Sequence, residues 1–363
     1  MPPAQSSTHA SPNPKARVHA GSRILLAALG TALGISIALA ASRTAELDPA
    51  LLLRRAWYRA TAPSGLEIYQ DDAVLGWTHR ANSRRRHRTS EFDVLYSIGP
   101  DGGRAMPDDS LYEAPPGPDT TKPSAQTGRA LPSVAIYGGS FSFGHGVEDD
   151  ETWPALLAAG AWSGRARIRN RAVSAYGSGQ VLLALERDLG EAGLEGGVDL
   201  AIYGWIYAHD TRSGRRKSWA EAVAPALPPV FGLDAQGRPV YEGLLHLSDA
   251  VALPEPGPIE SELRLTDALV AEMARAARAG GAELAVVMLP FATRNPQRAL
   301  AEARMLALLR AQGIRHLDLS EDPNLQDGGL FYEADVHPKA EWQRRVAKAV
   351  AAGLKLPPQA LGE

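Results

Sequence analysis

From Leu131 to the C-terminus the chain repeats one pattern, and that pattern leaves few folds open. Short segments at Ser133–Tyr137, Arg167–Ala172, Val198–Tyr207, Glu283–Leu289 and Ile314–Leu319 read as strand candidates. Helical periodicity fills the gaps, at about 151–160, 178–190, 260–279, 297–312 and 339–354. The later strands each follow a glycine-bearing helix stop: EGG before Val198, AGG before Ala282 and QG before Ile314. Strands that alternate with helices pair in parallel through crossover connections, so both faces of the sheet are covered. The predicted class is α/β: a three-layer α/β/α sandwich around a central parallel sheet of about five strands, spanning 131–358. A Pro-rich excursion at 211–259 breaks the alternation and is read as an insertion, a substrate-side loop or small cap.

The N-terminal third reads differently. Residues 24–41, ILLAALGTALGISIALAA, carry no charge, and the 1–23 tail before them holds Lys15, Arg17 and Arg23 but no acid. Such a segment is a transmembrane anchor or a signal peptide. Ala38-Leu39-Ala40 would serve as a cleavage site, whereas eighteen residues exceed the usual signal core of about 7–15. Basic residues ahead of it predict a cytoplasmic tail and an inner-membrane anchor with the body in the periplasm or extracytoplasmic space, or a secreted protein after cleavage. Residues 44–104 read as a helix (44–63) followed by a small β element, marked by the alternation in EFDVLYSI and the PDGG turn. Residues 105–130, rich in Pro, Asp, Ser and Thr, read as a linker with nothing to bury.

Composition removes several chemistries. With no cysteine, a thiol nucleophile, a disulfide framework and a Cys-ligated metal are excluded. A net charge of −3 gives no support for a nucleic-acid partner. The basic run Arg84–Arg88 is expected on an exposed surface.

Two short segments carry the chemistry. YGGSFSFGHG at 137–146 places Ser140 just past the first strand of the sheet, at the edge where open parallel sheets bind ligands. It lacks the Gly-Lys-Ser/Thr of a P-loop and does not match G-x-G-x-x-G. FYEADVHPKAEW at 331–342 sets Asp335 and His337 two apart, and Pro338 holds His337 extended. A carboxylate there can orient one ring nitrogen while the other faces the cleft, as a serine hydroxyl needs in order to lose its proton. The same Asp-x-His also fits a surface turn or two ligands of a metal. A metal needs a third ligand, which no other His/Asp/Glu spacing in the sequence supplies.

These blocks resemble the SGNH/GDSL hydrolases. YGGSFSFGHGVEDDETWP is similar to the family's first block, with Gly139 in place of the common Asp and Ser140 at the nucleophile position. NRAVSAYGSGQ is similar to the second block, with Gly177 in place, and Asp335 with His337 to the last. The stretch before Arg104 looks like the β preamble of bacterial extracytoplasmic members. The resemblance covers roughly 131–354 and implies a flavodoxin-like sheet and an ester-cleaving serine. It also implies an oxyanion hole from Ser140, Gly177 and a third-block Asn, where this chain has Ala208-His209-Asp210. His209 is the residue that could replace the Asn. Arg212, with Arg215, Arg216 and Lys217, is expected on a solvated loop or, for Arg212, gripping an anionic substrate group. No cofactor and no metal are implied. The expected activity is hydrolysis of an ester-bearing small molecule or of O-acyl groups on a surface polysaccharide. An O-acyltransferase using the same triad, and a catalytically silent binding protein, are the alternatives.

Overall fold

The computed structural model describes residues 68–106, 131–190, 193–223, 226–254, 257–292 and 295–357. The apolar segment 24–41, the helix expected over 44–63 and most of the proposed linker lie outside them. Among the described residues no helix is long and apolar enough to cross a membrane.

Five strands form the central sheet: β5 (Ser133–Gly138), β6 (Arg167–Asn170), β7 (Leu200–Trp205), β10 (Glu283–Met288) and β11 (Arg315–Asp318). All pair in parallel, in the order β6-β5-β7-β10-β11. This is the expected α/β sandwich, and the order is that of flavodoxin-like sheets. Alternation along each strand explains the layering. Val134, Ile136, Leu200, Ile202, Ala285 and Val287 face one core. Ala135, Tyr137, Ala201, Tyr203, Val286 and Met288 face the other. Helices α2 (Trp153–Ala159) and α7 (Ala340–Gly353) cover the first face, which Trp153 and Trp342 fill. Helices α3 (Ser178–Leu189), α5 (Glu260–Ala279) and α6 (Pro296–Ala311) cover the second.

Within 211–259 the chain forms helix α4 (Lys217–Val223) and an antiparallel hairpin, β8 (Pro229–Leu233) with β9 (Pro239–Leu244). Its residues Ala220, Val230 and Leu245 make a small core of their own, while Phe231 joins the main one. One expectation fails here. Arg216 is not on a solvated loop; it is 2% exposed and its guanidinium forks onto Glu262 at 2.9 and 2.6 Å.

The N-terminal β element consists of two hairpins, β1 (Tyr69–Asp72) with β2 (Gly76–His79) and β3 (Ser83–Arg88) with β4 (Asp93–Ile98). In β3 the arginines point outward, but His87 turns inward against Phe92 and Tyr96. The element is packed against the sheet body, since Leu75 and Trp77 enter the main core and Tyr176 Oη donates to the Trp77 carbonyl at 2.7 Å. Arg104, 1% exposed, sends its guanidinium to the carbonyls of Phe143, Gly144 and Val147 and to Asp149. The linker therefore does not start at 105: Ala105 and Met106 are both buried, because Ala105 N–H continues the pairing onto the Ser97 carbonyl.

Candidate active site

Chain order makes the crevice. The first sheet strand, β5, lies between β6 and β7, so the connections leave it in opposite directions and part at the carboxyl ends. Ser140 sits at that point. It opens the one-turn helix α1 (Ser140–Phe143), and its own carbonyl accepts from the amides of both Gly144 and His145. Two aromatic anchors fix the turn. Phe141 packs edge-on against Trp342 of α7, with ring centroids 5.6 Å apart, and Phe143 enters the core of the N-terminal β element. The Ser140 amide makes no hydrogen bond among the described residues.

The base arrives on the loop before α7. Tyr332 N–H donates to the His337 carbonyl at 2.9 Å and Lys339 N–H to that of Leu330 at 2.8 Å, closing residues 331–338 into a tight loop. Between Asp335 and His337, Val336 adopts φ +59°, a left-handed conformation that a β-branched residue rarely takes. That twist lets two residues separated by one present their side chains to each other. His337 Nδ1 donates to Asp335 Oδ1, and His337 Nε2 lies 2.8 Å from Ser140 Oγ. Ser140, 5% exposed, His337 and Asp335 thus stand as a contiguous chain of hydrogen bonds.

Two residues that the sequence reading did not single out complete this arrangement. The carboxylate of Glu91, in the β3–β4 turn, accepts the N–H groups of three consecutive base-loop residues: Glu333 at 2.7 Å, Ala334 at 3.2 Å and Asp335 at 2.9 Å. His145 lies beside His337, with ring centroids 4.3 Å apart and the planes tilted by 36°, and its Nε2 stands 3.7 Å from Asp335 Oδ2. Burial would raise the Asp335 carboxyl, but the nearby His145 ring and the hydrogen bond from His337 overcome it and hold the group well below the usual carboxylate range. Burial pulls His145 down to about 4; Asp335 opposes the shift, and His337 reinforces it. His145 is also the third ligand the sequence did not reveal. One donor atom each from His145, Asp335 and His337 lie within 4.8 Å of one another, a set that could hold a metal ion.

The remaining predicted residues cluster on the other side of Ser140. His209, 1% exposed, lies in a 3₁₀ turn (Tyr207–Thr211) just past β7. Its Nδ1 is 2.8 Å from Tyr203 Oη, which in turn is 3.0 Å from Ser178 Oγ. Its Nε2 is buried and has no hydrogen-bond partner among the described residues. A Cβ placed on Gly139 would stand 2.7 Å from that nitrogen, so any side chain at 139 would have to push the imidazole aside. Burial, reinforced by the Arg212 charge, drives His209 well below its ordinary pKa and keeps the ring neutral. The Gly177 amide caps its own helix, donating to Gln180 Oε1 at a long 3.2 Å. Arg212 lies over Gly177, and its Nη1 donates to the Tyr176 carbonyl at 3.1 Å.

A parallel sheet with Ser-His-Asp at its carboxyl edge is the arrangement the SGNH/GDSL resemblance implies. No family model matches the chain, and no curated protein matches it in sequence. Solved structures similar to it include TesA, at 16% identity over 61% of this chain and 98% of that one, with a TM-score of 0.42. The psychrotrophic esterase EstA from Pseudoalteromonas sp. shares 11% identity over 61% and 95% of the two chains, with a TM-score of 0.40. A GDSL-like lipase from Bacteroides thetaiotaomicron shares 16% over 61% and 86%, with a TM-score of 0.36.

Proposed function

We propose that this protein hydrolyses carboxylic esters through an acyl-serine intermediate. The observation that carries the reading is the continuous relay from Ser140 Oγ to His337 Nε2 at 2.8 Å, and from His337 Nδ1 to Asp335. As Ser140 Oγ bonds to the ester carbonyl carbon, its proton passes to His337 Nε2 and the carbonyl π pair moves onto oxygen. Asp335 stays ionised and stabilises the imidazolium. Collapse of the tetrahedral species expels the alcohol, which takes the proton from His337. Water then attacks the acyl group, gives a proton to His337, and the acid leaves as Ser140 regains its hydrogen.

Charge on the carbonyl oxygen needs donors that act in the transition state. The Ser140 amide is one. The neutral His209 ring is the second, in the tautomer in which Nδ1 accepts from Tyr203 Oη and the ring proton sits on Nε2. The Gly177 amide is the third, exchanging its weak Gln180 bond for a stronger acceptor. Gly139 and His209, the two departures from the family's usual blocks, fit against each other, which favours an active enzyme over a silent binding protein.

The substrate we infer is an acyl ester met outside the cytoplasm, such as an O-acyl group of a surface polysaccharide. The uncharged segment 24–41 behind a basic tail supports that location. A neutral fluorophosphonate should label the wild type at Ser140 and leave Ser140→Ala and His337→Ala unlabelled. Absence of labelling in the wild type, or equal labelling in all three, refutes the mechanism. A reporter fused after Glu363 that is active only inside the cell refutes the location.

A further inference from the structure

Deeply buried arginines in this protein come with their own counter-charge. Arg104 pairs with Asp149 at 2.9 Å, Arg216 with Glu262 at 2.6 Å and Arg298 with Glu302 at 2.6 Å. The partly exposed Arg171 pairs with Asp188 at 2.8 Å. Arg212, which is half-buried, differs from them. Its guanidinium stacks 4.7 Å over the Trp219 ring and donates to one backbone carbonyl, and it forms no ion pair with a carboxylate among the described residues. The neighbouring acid Asp210 is no substitute: it accepts from Trp205 Nε1 at 3.1 Å, and burial raises its pKa well above the carboxylate range. Burial likewise pulls Arg212 down to about 10, opposed by Tyr203 and Tyr207. A half-buried cation with no counter-charge beside it bears part of the cost of desolvation, and an anion supplied from outside relieves that cost.

Its position says what would supply the anion. Arg212 Nη1 lies 3.5 Å from the point where a Cβ on Gly139 would stand, one residue before the nucleophile. With no side chain at 139, nothing at that position comes between the guanidinium and the backbone that leads into Ser140. We propose that Arg212 recognises a carboxylate carried by the ester substrate, so that the preferred substrates are acidic esters. This rests on the esterase reading and adds a substrate class to it. The planar fork of a guanidinium matches a carboxylate in two parallel hydrogen bonds, and such charge-assisted bonds discriminate by ~10–100-fold.

The test compares kcat/KM for two pairs of esters. In the first the carboxylate is on the acyl half: 4-nitrophenyl hydrogen succinate against 4-nitrophenyl pentanoate. In the second it is on the alcohol half: O-acetyl glucuronate against O-acetyl glucose. The wild type should prefer the acidic member of at least one pair by ~10–100-fold, and ~0.5 M salt should shrink that preference. In Arg212→Gln the ratio should fall close to one, and Arg212→Lys should keep part of it. If Arg212→Gln fails to fold, the wild-type ratios and the lysine variant decide alone. A wild type that is labelled by the fluorophosphonate yet ignores charge in both pairs, or variants that keep the full preference, overturns the proposal and leaves the esterase reading standing. A wild type that is neither labelled nor active on any ester sinks the esterase reading instead. Calorimetric titration with succinate and glucuronate against glucose then still decides the point, since no heat, or heat unchanged in Arg212→Gln, overturns it.

Discussion

Gly139→Ala is a one-carbon change that should act as if a distant imidazole had been removed. The glycine has φ −94° and ψ −153°, an extended conformation open to any residue, so the alanine carries no backbone penalty. Its Cβ, however, would stand 2.7 Å from His209 Nε2, where ordinary contact begins at 3.4 Å. The ring must retreat by about 0.7 Å, and a donor that serves an oxyanion at about 2.9 Å is then beyond hydrogen-bond range. Loss of one such donor lowers kcat by ~10²–10³, or ~2.7–4 kcal/mol. Gly139→Ala and His209→Ala should each produce that fall with little change in KM, because the donor acts in the transition state. The double variant should be no slower than His209→Ala alone, since the methyl group acts only through the ring. His209→Asn should recover part of the loss. Steady-state hydrolysis of a neutral 4-nitrophenyl ester reads all four rates, and thermal melts separate them from stability. If the two losses multiply, or if Gly139→Ala stays within threefold of the wild type, His209 is a core residue and not a donor.

Asp335→Asn should leave a folded protein with kcat lower by ~10⁴, because the amide orients the wrong tautomer of His337; a fall of less than tenfold would reduce Asp335 to a turn residue. Glu91→Gln should cut kcat by ~10-fold and speed hydrogen exchange at the 333–335 amides, since a neutral amide oxygen holds three N–H groups less firmly than a carboxylate. Unchanged exchange there would show that the loop holds itself. His145 is neutral in the folded protein, with a pKa near 4 against 6.5 when unfolded. Between those values the unfolded chain binds the extra proton, so stability should fall as pH drops from about 6.5 to about 4. His145→Asn should remove up to ~1.4 kcal/mol per pH unit of that slope in urea titrations. An unaltered slope would mean that the ring is solvated.

What could be read in the sequence was what is local. The three inner strands announce themselves because each is a short apolar run with alternate residues facing two cores, and glycine stops mark the helices before the later strands. Ser140, Asp335 and His337 were legible because the nucleophile turn and the Asp-x-His loop are each contiguous. Contacts that cross the chain were not. Glu91 reaches amides 242–244 residues away, and nothing in Thr89-Ser90-Glu91-Phe92 marks it as more than a turn. His145 lies inside the Ser140 block, yet only the folded loop brings it against Asp335. Arg216 reads as one cation of a solvated run until Glu262, 46 residues on, is folded against it.

The ties from Arg104 and Glu91 change what counts as the enzyme. Arg104 holds three carbonyls just after the nucleophile, and Glu91 holds three amides just before the base. A fragment cut at Leu131, where the strand–helix alternation begins, would contain every atom of the Ser-His-Asp relay and lack both braces. It should behave as a scaffold whose nucleophile and base drift apart. The missing piece is small enough to supply as a separate peptide, residues 68–106, and recovery of turnover on mixing would make this protein a two-fragment complementation system.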